Sequence, residues 1–419
     1  MFHDRYLACS LICAMLSVFC YHRFYVNDHA ANRIPVRIPV NIDPKDGVAS
    51  IQILIKTRQS SSSPVQLRVG LDTGSSVSWF LDSSCQVHTS IVDRQLRQKL
   101  LVKSVATRHT TIAVRKVMTV PTVPLSVKYA DGTRIKGSFI RKVLFFFSAL
   151  VKQGHEQDQT QQFHALTWGS VTSVAETVRQ TEDDSRFEQA SVDGWLGLGR
   201  PPGSHSAYPS GHAFITSMAV LHQSQWNERG KYSNGHLTSW SMTFAFRRPP
   251  YALLIHTPAV VPHDGVQVKD QDDHWSVVVS KVAVNGCQAT QIQYKVMFDV
   301  GAGSIFTPKD LVPTSCWANI TKGNDTFPMS FMLANGKTVT IPHLMQNVSY
   351  HRTLRNTPAA PLVPLESTAP PAPPAPPTPP APPTIVLGLP FFMRMDVTLT
   401  TIHDQHQHPS SYSYWAHIN

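Results

Sequence analysis

Apolar residues along this chain come in short runs that alternate with polar positions and close on Gly, Pro, Ser or Asn, the period of half-buried strands. No long helical heptad pattern is present. Residues 34–40 and 49–56 read as strands, and 60–64 as a loop before the apolar approach Val69-Gly70-Leu71. A hairpin is predicted over 127–139, because Asp131-Gly132 stands between two alternating segments. The polar stretch 153–189 reads as a long loop with helical character around 174–179. Val192 to Gly199 then resumes as an apolar strand whose glycines mark close packing or a turn. Further strands are predicted over 240–246, 251–256 and 274–286, and Tyr294 to Phe298 is a second apolar approach. The Ala-Pro-Pro run 369–384 is extended polyproline that cannot join a sheet, a surface insertion or a ligand for a proline-reading domain. Residues 384–392 follow as a buried strand with a close-approach glycine, Gly388.

Composition agrees with strands and loops. The chain has 419 residues, 42% of them hydrophobic, enough for a large core in two or three domains. Only 15% are charged, and there are 32 prolines and 21 glycines. The net charge of +10 raises an anionic partner. The basic residues are scattered, however, and pairs such as Arg247-Arg248 and Arg141-Lys142 read as solvated faces, so no nucleic-acid binding is expected.

Arg5 precedes an apolar run from Leu7 to Cys20, the length of a secretory h-region and short for a bilayer span. Residues 1–31 are therefore expected to direct export, with cleavage near Ala30-Ala31 or retention as a signal anchor. Three of the six cysteines lie in this leader. Among Cys85, Cys287 and Cys316, the pair Cys287 and Cys316 flanks the second apolar approach and is the expected disulfide, although the spacing leaves other pairings open. No Cys-x-x-Cys or His-Cys spacing indicates a metal, and the His-rich tail (His403, His406, His408, His417) reads as a polar end rather than a metal site, because no acidic or cysteine partner fixes a geometry. Sequons at Asn319, Asn324 and Asn347 fit a glycosylated secretory-pathway protein.

The candidate chemistry lies where the two apolar approaches end. The first gives Asp72-Thr73-Gly74-Ser75-Ser76, a carboxylate on a tight turn rich in hydroxyl and amide donors, which can hold it ionised below neutral pH. A bare strand-to-turn junction would look similar. A second copy of the plan, Asp299-Val300-Gly301-Ala302-Gly303, changes the picture. Two carboxylates delivered face to face cannot both ionise easily, so they share a proton and act as base and acid together.

These motifs resemble the pepsin-like aspartic peptidase family over most of the chain after the leader. Asp72 to Ser76 with Trp79 is similar to its first active-site motif, and Tyr129 with Asp131, Gly132, Thr133 and Gly137 to its flap. Asp193 to Gly199 and Leu387-Gly388 with Phe391-Phe392 are similar to the strands packed behind the two aspartates. The second motif departs from the family, with Val300, Ala302 and Gly303 where hydroxyl residues are usual. The missing hydroxyl at Val300 removes one side of a cross-link between the loops, and Ala302 should let the pair titrate higher.

The resemblance implies an all-β, two-lobed pepsin-like β-barrel fold with a cleft between pseudo-symmetric lobes, an N-terminal lobe over 34–243 and a C-terminal lobe over 244–419. It implies an aspartic-type endopeptidase acting at acidic pH, in which Asp72 and Asp299 are catalytic. Gly74, Tyr129, Asp131, Gly132, Thr133 and Gly301 would bind substrate, supported by Thr73, Ser75 and Trp79. No cofactor or metal is implied. The partner is a polypeptide substrate, the chain a monomer, and membrane attachment follows only if residues 1–31 are retained. The altered second motif also fits a silent relative that binds peptides in the same cleft, and the proline run a wall-associated structural protein.

Overall fold

The computed structural model describes residues 35–43, 47–56, 65–92, 98–104, 123–129, 133–146, 164–179, 192–200, 239–256, 259, 264–268, 274–303, 305–308, 311, 313, 328–342, 354–355, 382–403 and 412–419. The leader, Asp131, Gly132, Cys316, the three sequons, His406, His408 and residues 369–381 lie outside them. The described chain is all-β, in three sheets, with one short helix at Leu389–Phe392. Among the described residues no helix is long and apolar enough to cross a membrane.

The first sheet has nine strands. At its centre Val65–Asp72 pairs antiparallel with Val48–Lys56 and parallel with Gly194–Gly197, which pairs antiparallel with Trp79–Val92. Alternation dictates the faces: Leu67, Val69 and Leu71 are buried, as are Ile51 and Ile53 opposite them. Gly194 is required because a Cβ there would lie 2.2 Å from the Trp79 carbonyl oxygen and 2.6 Å from the Phe80 Cα. The sheet curls on itself, since Val48–Lys56 also pairs with Arg134–Phe146 through Leu54 and Phe146.

The eight-stranded sheet repeats this plan. Gln293–Phe298 pairs antiparallel with Ser276–Val284 and parallel with Thr384–Leu387, which pairs antiparallel with Ile305–Phe306. In both sheets the strand that delivers the carboxylate, the strand that leaves its turn and a parallel strand from far along the chain meet in the same order. A parallel partner requires a long crossover, so the likeness between the sheets is tertiary.

A six-stranded sheet joins the two, and in it Val36–Pro39 pairs with Ala252–His256. The boundary expected at 243/244 falls inside one of its strands, Ser239–Ala245. Trp240, Met242, Phe244, Leu253, Ile255, Val397 and Leu399 lie on its buried side and belong to a core continuous with both other sheets. Each such side chain contributes about 1.5–3 kcal/mol on burial.

Three local expectations are corrected. Residues 174–179 belong to the strand His164–Arg179, where β-branched Val174 packs between neighbours on both sides and overrides the helical reading. The strand beginning at Thr384 stops at Leu387 and a helical turn follows, since Pro390 suits a first helical turn and has no N–H for a ladder. The end of the proline run does join a sheet, because the Pro383 carbonyl accepts from the Lys295 N–H at 2.9 Å. A missing donor leaves the acceptor in place.

Candidate active site

Asp72 is the last residue of its strand and Asp299 follows Phe298 directly, so both carboxyls stand at the ends of matching central strands. The main chain fixes each turn against its backing strand. The Leu198 N–H donates to the Asp72 carbonyl at 2.6 Å, and the Asp299 N–H to the Leu387 carbonyl at 3.0 Å. The turns then hold the carboxylates in the same way: the Gly74 N–H donates to Asp72 Oδ1 and the Gly301 N–H to Asp299 Oδ1, both at 2.9 Å.

The glycines also let the turns interlock. A Cβ on Gly74 would lie 2.5 Å from Asp299 Oδ2, and one on Gly301 would lie 2.9 Å from Asp72 Oδ1. Each carboxyl therefore rests against the glycine of the opposite turn. The two carboxyls are close enough that each shifts the proton affinity of the other.

This crowding sets the electrostatics. Asp72 is 7% exposed, and burial holds its carboxyl well above the ordinary carboxylate range, followed by the charge of Asp299. Asp299 is also raised, first by burial, although it keeps an edge on solvent. Hydrogen bonds from Gly301, Asp72, Ala302 and Gly74 pull it back. The pair as a unit therefore holds a proton to higher pH than two free carboxyls would, with burial the first cause on both sides. The two turn amides favour the ionised form of Asp72, and desolvation outweighs them.

Thr73 ties the loops together. Its Oγ1 donates to the Phe298 carbonyl at 2.8 Å and accepts from the Val300 N–H at 2.9 Å, at a fully buried position. Val300, buried at the matching place, has no hydroxyl to return the pair of bonds. Its counterparts across the repeat would be the Leu71 carbonyl and the Thr73 N–H. Val300→Thr is expected to stabilise the chain by about 1 kcal/mol, read as a higher urea midpoint at unchanged m. A lower midpoint would mean that the new hydroxyl is buried without a partner and the repeat is not symmetric here.

Ser75 turns its hydroxyl to its own loop, accepting from the Val77 N–H at 3.1 Å, and its amide holds Asp72. Trp79 donates from Nε1 to Tyr129 Oη at 2.6 Å. Tyr129 sits at the turn end of the predicted hairpin, formed by Val123–Lys128 and Arg134–Phe146 and closed by its N–H on the Thr133 carbonyl at 2.7 Å. The described site residues Asp72, Thr73, Gly74, Ser75, Trp79, Tyr129, Thr133, Asp299 and Gly301 therefore fall on two interlocked turns and one hairpin tied to the first turn.

Other contributors were not legible. Ser78 accepts from the Gly197 N–H at 3.1 Å, and Trp275 Nε1 donates to the Leu198 carbonyl at 2.9 Å, joining the second half to the strand behind Asp72. Cys287 is disulfide-bonded and Cys85 is a free, buried thiol pushed up to about 12 by burial and Asp82. His417 does have an acidic partner, since its Nε2 lies 2.6 Å from Asp264 Oδ1. Burial nevertheless lowers the imidazole, with Asp264 opposing. Among the described residues no group of three or more His, Cys, Asp or Glu side chains converges on a metal-sized site.

No protein-family model and no curated protein matches the chain.

Proposed function

We propose that this chain is an aspartic-type endopeptidase of the pepsin-like, two-lobed kind, working at acidic pH in the secretory pathway or outside the cell. The observation that carries the reading is the pair of carboxyls, each resting against the glycine of the opposite turn, on two copies of one strand plan. With one proton shared between Asp72 and Asp299, the ionised carboxylate takes a proton from an attacking water while its protonated partner gives its own to the carbonyl oxygen of the peptide. The tetrahedral intermediate collapses as the carboxyl that took the water's proton gives it to the departing nitrogen and a hydroxyl of the intermediate returns its proton to the other carboxylate, which leaves the pair again with one shared proton. Tyr129, held by Trp79, closes over an extended peptide.

A second reading is a silent peptide-binding relative, favoured by the loop tie that Thr73 makes from one side only. Digestion of an unfolded protein at about pH 4, a value near the ordinary carboxylate range, separates the two. Inhibitor-sensitive fragments are expected with a peptide that mimics the tetrahedral intermediate. Peptide binding without cleavage would replace the enzyme by the binder.

A further inference from the structure

The hairpin that carries Tyr129 has a second face. Lys128 stands directly across from Arg134, and Ser126 directly across from Lys136. Because alternate residues of a strand share a face, Lys128, Arg134 and Lys136 form one exposed row, with Leu125 and Ile135 buried on the other side. Among the described residues no acidic side chain pairs with these three cations. The next strand places neutral Ala175 beside Arg134 and Ser173 beside Lys136.

Like charges directly opposite each other destabilise a hairpin. A lysine on an edge strand can be explained as a guard against unwanted pairing. That accounts for Lys128, on the last strand of the nine-stranded sheet. It does not account for Arg134 and Lys136, one strand further in.

We propose that this row is a docking surface for an acidic stretch of polypeptide substrate flanking the segment held in the cleft, an inference that rests on the peptidase reading. The chemistry and spacing agree. Arg134 and Lys136, alternate residues of one strand, are spaced about 6.6–6.8 Å, the repeat of alternate carboxylates in an extended peptide, and Lys128 stands across from Arg134 on the neighbouring strand. The edge strand Val123–Lys128 lies alongside, where an extended chain can add. The row sits on the element that closes on substrate, which favours a peptide over a membrane or a nucleic acid.

The test uses two fluorogenic peptides with one cleavable segment, flanked by alternating Glu in one and Gln in the other, at about pH 5.5, where ordinary carboxylates are ionised. The wild type is expected to prefer the Glu peptide about tenfold, through KM, at low salt, and to lose the preference at about 0.5 M salt. The triple variant Lys128→Gln, Arg134→Gln, Lys136→Gln is expected to lose it at any salt while cleaving the Gln peptide as before. Fluorescence anisotropy with Asp72→Asn reads binding alone, with and without the triple change. Cleavage of both peptides equally well, or a preference that survives the triple change, overturns the docking surface and leaves the peptidase standing. No cleavage, with acidic-peptide binding that the triple change abolishes, overturns the peptidase and leaves the surface. Anionic vesicles or RNA bound as tightly through the same three residues would overturn the assignment to a peptide.

Discussion

Asp72→Asn is expected to lower acid peptidase activity about 10²–10⁴-fold, and Asp299→Asn to do the same, with the double variant little worse than either. The reason is that the pair acts as one unit: each carboxyl shifts the proton affinity of the other, and neither can serve as base without the other holding a proton. Stability gives an independent readout. Burial raises both carboxyls, so the folded chain binds the shared proton more tightly than the unfolded chain does. The stabilisation is full below the unfolded carboxylate value of about 3.9 and is lost as pH rises through the raised folded values. An asparagine has no proton to lose. Asp72→Asn should therefore melt above the wild type near neutral pH, and the two curves should converge towards about pH 3, below the unfolded value. Unchanged activity in either single variant, or melting curves that stay parallel across this range, would remove the pair from the mechanism.

What the sequence discloses of this site depends on how local each interaction is. The alternation of Trp240, Met242 and Phe244, or of Leu67, Val69 and Leu71, is a property of neighbours, so the strands could be read directly. Both Asp-x-Gly turns could be read because Gly74 and Gly301 donate to carboxylates two residues away. The Thr73 tie could be anticipated only through resemblance, because its partners are the carbonyl of Phe298 and the amide of Val300, groups that every residue carries. The same holds for Ser78 with the Gly197 amide and Trp275 with the Leu198 carbonyl. His417 looked solitary because Asp264 lies in another strand's approach. Electrostatics was the least local feature. Counting donors around Asp72 gives an acid that ionises readily, whereas the folded chain surrounds it with apolar matter and a second carboxyl, and those outweigh the donors.

Gly74→Ala is expected to reduce kcat about 10²-fold, the loss that follows from displacing a catalytic group by about 1 Å, while the fold survives. The added Cβ would come within 2.5 Å of Asp299 Oδ2 and 2.6 Å of its Cγ, so the carboxyl has to move. It is the tip of a side chain and can do so at modest cost in stability, but it then leaves both the Gly301 amide and Asp72. Gly301→Ala should act in the same direction and more weakly, because its closest approach to Asp72 is 2.9 Å. Gly194→Ala provides the opposite control. Its Cβ would meet main-chain atoms of Trp79 and Phe80, which cannot swing away, so it should lose folded protein before it loses turnover per folded molecule. Urea midpoints and active-site titration on the three variants separate these outcomes. Full activity in Gly74→Ala would show that the carboxyls need not touch, and the one-proton mechanism would fall with that result.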